Sequence, residues 1–281
     1  MSGPAGGRDG SVEATAPAVA STRLPATTIT VVVSHNQPDR LERAVTTWLH
    51  HHDGLLVVAL SAPTVDAADT AADLARAHHL PVATYDTNIG FNLAANRTLA
   101  RWANPADYGA YAVINDDTWF TSPAVNELAA HLDRDATLAA VGPRQVDEQN
   151  RITAGGFFGD PPIDRLFHQS AVPLETSADA TRLAGSMIVW RATAWQQLAT
   201  CPGTPPDAHG AYAPTSHYFG ETFACVHARA HGWRLGFAGD VTVGHTWHAS
   251  SPVGGYGEQH IDTDRRLYET LCDHHTPPIK H

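Results

Sequence analysis

The stretch Tyr111-Ala112-Val113-Ile114-Asn115-Asp116-Asp117-Thr118 decides how this chain is read. An apolar run suited to a strand covered on both faces leads straight into two adjacent carboxylates. In an open α/β sheet ligands bind outside the carboxyl ends of the strands, so such a strand delivers its acids to the place where chemistry occurs. Carboxylate oxygens suit hard divalent cations, and a cation held there can neutralise a diphosphate leaving group. The same Asp-Asp-Thr also fits a turn, or a cap for a helix starting near Ser122. The flanking sequence separates these readings.

Upstream, Thr28 to Val33 (TITVVV) is β-branched and reads as a buried strand, and Pro38 opens a helix with Leu41, Val45, Trp48 and Leu49 at helical spacing. Leu55 to Leu60 is a second buried strand, Asp66 to His78 an Ala-rich helix, and Val82 to Tyr85 a third strand. The Asn88-Ile89-Gly90-Phe91 turn feeds a helix ending near Trp102, and a further helix runs through Leu128 and Leu132. This alternation predicts a mostly parallel, Rossmann-like sheet with helices on both faces. The second half is mixed. Strands are expected at Ala139–Val141, Ile152–Phe158, Leu183–Trp190, Leu235–Ala238 and Val241–Gly244, with helices over Thr193–Leu198, Phe219–His231 and Ile261–Leu271. Cys201 to Ser216, rich in Pro and Gly, is expected to be a long loop of functional kind.

At 281 residues, 43% hydrophobic and 17% charged, the chain has the composition of a globular enzyme. A net charge of -11 without a basic stripe argues against nucleic acid as a partner. No apolar run reaches the roughly 20 residues of a membrane-spanning helix. Three cysteines (Cys201, Cys225, Cys272) are too few and too irregularly spaced for a disulfide framework or a zinc site, which points to a reducing, cytoplasmic setting. Residues 1–27 read as a disordered leader and 273–281 as a tail, leaving one domain over 28–272. The 18 histidines sit mostly in polar loops and at helix ends, as solvent-facing residues do.

In order along the chain, these motifs resemble the family 2 glycosyltransferases of GT-A fold, in particular their rhamnosyltransferase-like branch. The resemblance rests on Asn88, Gly90, Phe91 and Asn96; on Asn115, Asp117 and Thr118; on Val141-Gly142-Pro143; and on Gly185 to Arg191. Phe219-Gly220-Glu221, and His245 or His248 before Ser250 and Ser251, complete it, so that it covers about Thr28 to Leu271. It implies a nucleotide-sugar-binding half (28–135) and an acceptor half (136–272). It further implies a UDP- or dTDP-linked donor, a Mn2+ or Mg2+ cofactor, inversion at the anomeric carbon and an acceptor the sequence does not specify. Two departures stand out. The second strand ends in Ala59-Leu60-Ser61-Ala62-Pro63 where the family carries an Asp for the nucleotide base, and the family's Glu-Asp pair reads Glu221-Thr222, with Ala224 two residues on.

Sugar transfer needs positive charge against the departing diphosphate and a base for the acceptor hydroxyl. Asp117 is the expected metal ligand, with His248 or His245 completing the shell through a neutral imidazole. Ser34, His35, Asn36, Asn88, Gly90, Asn96, Asn115 and Asp116 are expected around the nucleotide. Glu221 is the expected general base, with Asp207 and His217 as other candidates. As alternatives, Glu221 is a first-turn glutamate favoured by the helix dipole, and the histidines alternate between the faces of an edge strand. Trp119, Trp190 and Trp247 are sugar platforms or core. Two other functions stay open. A nucleotidyltransferase would normally need a Gly-rich basic loop where Ser34-His35-Asn36-Gln37-Pro38 stands, and a degenerate GT-A domain would bind a nucleotide sugar without turnover.

Overall fold

A computed structural model describes residues 27–158, 178–201, 204–246 and 256–275. Four parallel strands form one side of the sheet: β1 (Thr28–Ser34), β2 (Leu55–Ser61), β3 (Val82–Tyr85) and β4 (Ala110–Asn115), in the order β3-β2-β1-β4. They are linked by α1 (Pro38–His51), α2 (Val65–His78) and α3 (Gly90–Trp102). The apolar runs are buried on both faces, as parallel strands require. Ile29, Val31, Val33, Tyr111 and Val113 join one apolar layer, while Val32, Ala112 and Ile114 join the other.

After β4, the chain turns at Asp116-Asp117 into a two-residue strand, β5 (Thr118–Trp119), and then α4 (Ala124–Arg134) and β6 (Leu138–Val146). Short strands follow: β7 (Ile152–Ala154), β8 (Gly156–Phe157), β9 (Ala178–Ala180) and β10 (Arg182–Leu183). The chain closes with β11 (Met187–Arg191), α5 (Ala192–Thr200), α6 (Gly220–Ala230), β12 (Arg234–His245) and α7 (Tyr256–His275). The sheet continues β4-β11-β6-β12-β5, antiparallel at β4-β11, β11-β6 and β12-β5 and parallel at β6-β12.

Several boundaries move from the sequence reading. The two short strands expected at 235–238 and 241–244 are one strand, β12, whose register against β6 shifts between Ala238 and Thr242. Leu183–Trp190 divides, because Leu183 pairs with Gly156 in a separate two-stranded sheet before the chain turns into β11. The closing helix runs on to His275, past the expected domain end at 272. Among the described residues, no helix is long and apolar enough to cross a membrane.

Candidate active site

The turn after β4 is held in place by β5. Thr118 pairs with His245 and Trp119 with Gly244, so the end of β12 lies alongside Asp117. Gly244 permits this approach, since a Cβ there would meet Trp119 Cε2 at 1.8 Å. The Arg43 guanidinium lies over the Trp119 ring, 3.9 Å from its centroid. Trp119 and the fully buried Trp190 are therefore packing residues, and Trp247 lies outside the described residues.

Asp117 is 5% exposed and caps no helix, because α4 starts at Ala124. Its Oδ1 lies 3.2 Å from His245 Nε2, yet the two are not aligned as a hydrogen bond, and Oδ1 has no hydrogen-bond partner among the described residues. A buried carboxylate oxygen without a donor is costly. Two ligands at about 2.1 Å from one octahedral cation sit roughly 3 Å apart, so this pair fits a shared divalent ion. His248, the other expected imidazole, lies outside the described residues.

Asp116 is buried beside it and accepts a 2.7 Å hydrogen bond from Ser34 Oγ. Burial pushes its carboxyl up to about 7; the Ser34 bond opposes the shift, and the Asp117 charge adds to it. Asp116 and Asn115 form one wall of a cavity of about 260 Å³, also lined by His35, Asn36, Asn88, Gly90, Ser216 and His217. Six of the expected nucleotide-side residues thus share one cleft at the carboxyl ends of β1, β2 and β4. Ser34 adjoins it through Asp116.

Further lining comes from the Asn88 to Phe91 turn and from the end of the expected long loop, at Ser216 and the adjoining His217. Asn88 Oδ1 accepts from Gly90 N (3.0 Å) and from Ser61 Oγ (3.1 Å), and Ser61 Oγ accepts from Ile89 N (3.0 Å). Ser61 stands in the stretch where the family carries its base-binding Asp, and it lines the cavity. His35 Nδ1 contacts the Ser61 carbonyl at 2.5 Å. Gly90 has φ +78°, and a Cβ there would strike the Ser216 carbonyl oxygen at 2.0 Å; that oxygen accepts from Phe91 N at 3.0 Å.

Asn96 does not line the cavity. It is fully buried, and its side chain is spent on the 208–212 loop: Nδ2 donates to the Ala208 and Tyr212 carbonyls, both at 2.8 Å, and Oδ1 accepts from Tyr212 N at 3.2 Å. One turn earlier, Asn92 Nδ2 donates to Thr215 Oγ1 at 2.9 Å. From the opposite side, Asp264 on α7 accepts from the backbone N–H groups of Ser216 (2.9 Å), His217 (2.8 Å) and Tyr218 (2.9 Å). These three buried side chains convert an expected loop into a fixed wall. Burial holds the His217 imidazole below its ordinary pKa, against the pull of Asp264 and Asp117.

Glu221 sits in the first turn of α6, half-buried and packed over Gly185, off the wall of this cavity. Burial pushes its carboxyl up to about 7, opposed by hydrogen bonds from its own backbone N–H and from Thr222. Ala224, where the family pattern places a further acid, is fully buried in the core. Asp207 lies in a 3-10 turn (Pro206–Ala208) and is not among the residues lining the cavity.

No protein-family model and no curated protein sequence matches the chain. Solved structures do match its fold. GalNAc-T7, with UDP, GalNAc and Mn2+, superposes with a TM-score of 0.63 at 15% identity, covering 88% of this chain and 47% of that one. The mannosyltransferase PcManGT from Pyrobaculum calidifontis, in complex with GDP-Man and Mn2+, gives 0.58 at 16% identity over 92% of this chain and 67% of its own. Glucosyl-3-phosphoglycerate synthase from Mycobacterium tuberculosis, with Mn2+, UDP and glucosyl-3-phosphoglycerate, gives 0.53 at 15% identity over 90% and 81%. The chain spans about half the length of the GalNAc-T7 chain. The strand order, the mixed second half and these superpositions together make the architecture that of a GT-A fold.

Proposed function

We propose that this chain is a metal-dependent glycosyltransferase. In this reading it moves a sugar from a UDP- or dTDP-linked donor to an acceptor hydroxyl, with inversion at the anomeric carbon. The reading rests on one observation: a buried carboxylate oxygen with no hydrogen-bond donor among the described residues faces an imidazole nitrogen at 3.2 Å, next to a cleft at the carboxyl ends of parallel strands. It is supported by the Mn2+ bound together with UDP and GalNAc, or with GDP-Man, in proteins of the same fold. The Asn88 to Phe91 turn and Asn115 to Thr118 favour the family 2, rhamnosyltransferase-like branch. Cys201, Cys225 and Cys272, none of them in a disulfide among the described residues, fit a cytoplasmic setting.

Asp117 and His245 would hold Mn2+ or Mg2+, which when bound neutralises the charge that develops on the departing diphosphate. His35, Asn36, Ser61 and Asn88 line the cleft on the nucleotide side, and the 28–135 half forms most of it. Glu221 accepts the proton of the acceptor hydroxyl. Its raised pKa makes it a stronger base than an ordinary carboxylate, closer to the working pH. The acceptor then enters from the 136–272 half, across from the donor.

The test measures release of the nucleoside diphosphate from UDP- and dTDP-sugars, with and without Mn2+. Asp117→Ala should lower metal-dependent turnover by about 100-fold or more while leaving the circular dichroism spectrum unchanged. Turnover like that of the wild type in this variant would sink the assignment. Donor-induced thermal stabilisation without turnover on any acceptor would replace the enzyme with a binding domain.

A further inference from the structure

Away from the cleft, the packing of α5 against α6 gathers three ligand-bearing side chains that their spacing in the sequence kept apart. Cys201 ends α5, and His227 and His231 lie one turn apart at the end of α6. Among the described residues, these form the one group of three or more cysteine, histidine and acidic side chains placed for joint metal ligation, with all ligand atoms within 4.8 Å of one another. The Cys201 sulfur lies 3.2 Å from His227 Nε2 and 3.7 Å from Nδ1, beside the ring rather than in line with one nitrogen. The imidazoles of His227 and His231 stand 4.9 Å apart, and Phe223 backs His227 at 5.0 Å.

We propose that Cys201, His227 and His231 form a zinc site separate from the donor cleft. One thiolate and two imidazoles make a borderline-soft donor set, which suits Zn2+ and not the Mg2+ or Mn2+ expected at carboxylates. Tetrahedral Zn2+ with sulfur at about 2.3 Å and nitrogen at about 2.0 Å puts sulfur and nitrogen roughly 3.6 Å apart, within the range of separations seen here. Histidines at i and i+4 share one helix face, the spacing by which helical zinc sites present two imidazoles. Three protein ligands leave a fourth position for water, on the side where His231 is half-exposed. Binding moves the Cys201 thiol proton, now donated to the Leu198 carbonyl at 3.2 Å, to solvent. The ion would tie the end of α5 to the helix whose first turn carries Glu221. Its role is thus to brace the acceptor-side wall, and the proposal does not depend on the transferase reading.

The test uses the full chain, stripped with a chelator and titrated with Co2+ as a spectroscopic stand-in for Zn2+. One equivalent should produce a thiolate-to-cobalt charge-transfer band with the strong visible absorption of a tetrahedral site, and Zn2+ should bleach both. Cys201→Ser should abolish the charge-transfer band. His231→Ala, at a half-exposed position the fold tolerates, should weaken apparent Zn2+ affinity by about tenfold or more. Asp117→Asn should leave the band unchanged, which separates this site from the donor cleft. A stripped wild-type protein without the band overturns the proposal. So does a band that survives Cys201→Ser, or equal Zn2+ affinity in His231→Ala and wild type.

Discussion

Glu221 is a carboxylate whose environment changes what it can do. Burial lifts its pKa to about 7, so it exchanges its proton inside the physiological range. A base acts only when deprotonated, so the chemical step should rise with pH through an apparent pKa near 7 and level off above it. Glu221→Gln should lower kcat by about 100-fold or more and remove that limb, with little change in donor affinity, as checked by single-turnover kinetics across pH 5.5–8.5. A retained limb would move the base to His217. Sequence reasoning placed Asp116, Asp117, Asn88 and Gly90 at the ends of strands or in a turn, where local order dictates their position, and His245 at the end of a strand, where it closes β12. It placed Asn96 at the nucleotide because an asparagine on a helix after a glycine turn looks the same whether it faces a ligand or a loop. Only the tertiary fold reveals which backbone groups are in reach.

The 204–219 segment is where sequence legibility ended. Its prolines and glycines announce a loop without saying what fixes it. The fixing residues, Asn92, Asn96 and Asp264, lie on two helices far away in sequence. A usable signal was present in α3, where Asn92 and Asn96 fall one turn apart on the face that also buries Ala95 and Leu99. Polar residues on a buried helix face require partners. Asp264 is the keystone of this element because one buried carboxylate satisfies three consecutive backbone donors. Asp264→Asn leaves one acceptor oxygen and turns an N–H group toward those donors. The expected loss is about 3 kcal/mol in urea unfolding, with faster amide exchange at Ser216, His217 and Tyr218. Because Ser216 and His217 line the cleft, Kd for UDP with Mn2+ should rise as well. Unchanged exchange at these amides would show that the loop holds itself.

Across the whole molecule, two apolar layers sandwich the sheet, and one histidine is built into the second of them. His52 is 6% exposed, with Nδ1 3.0 Å from the Trp48 carbonyl and Nε2 accepting from Val125 N at 3.1 Å, so it fills the start of α4 as a neutral ring. Burial lowers its pKa from 6.5 to about 4. The unfolded chain therefore takes up the proton first on acidification. The stability His52 contributes is complete above pH 6.5 and is lost as pH falls toward 4, by roughly 2 kcal/mol after screening is allowed for. Its ring carbon resonances should titrate near pH 4 in the folded protein. A midpoint near 6.5 would place the ring in water. The broad architecture was legible from the start, since TITVVV, LLVVAL and YAVIN can only be covered strands. The merger of two strands into β12 was not, because a bulge between Ala238 and Thr242 resembles a turn when read one residue at a time.

The pairing of β12 with β5 also has a consequence for synthesis. A ribosome builds Asp117 early and His245 late, so a nascent chain carries half of the grip long before its counterpart exists. Any copy cut short before residue 245 keeps the acids and lacks the imidazole. On the proposed metal reading, such a copy binds no ion, and competence arrives only when translation has passed through almost the entire domain.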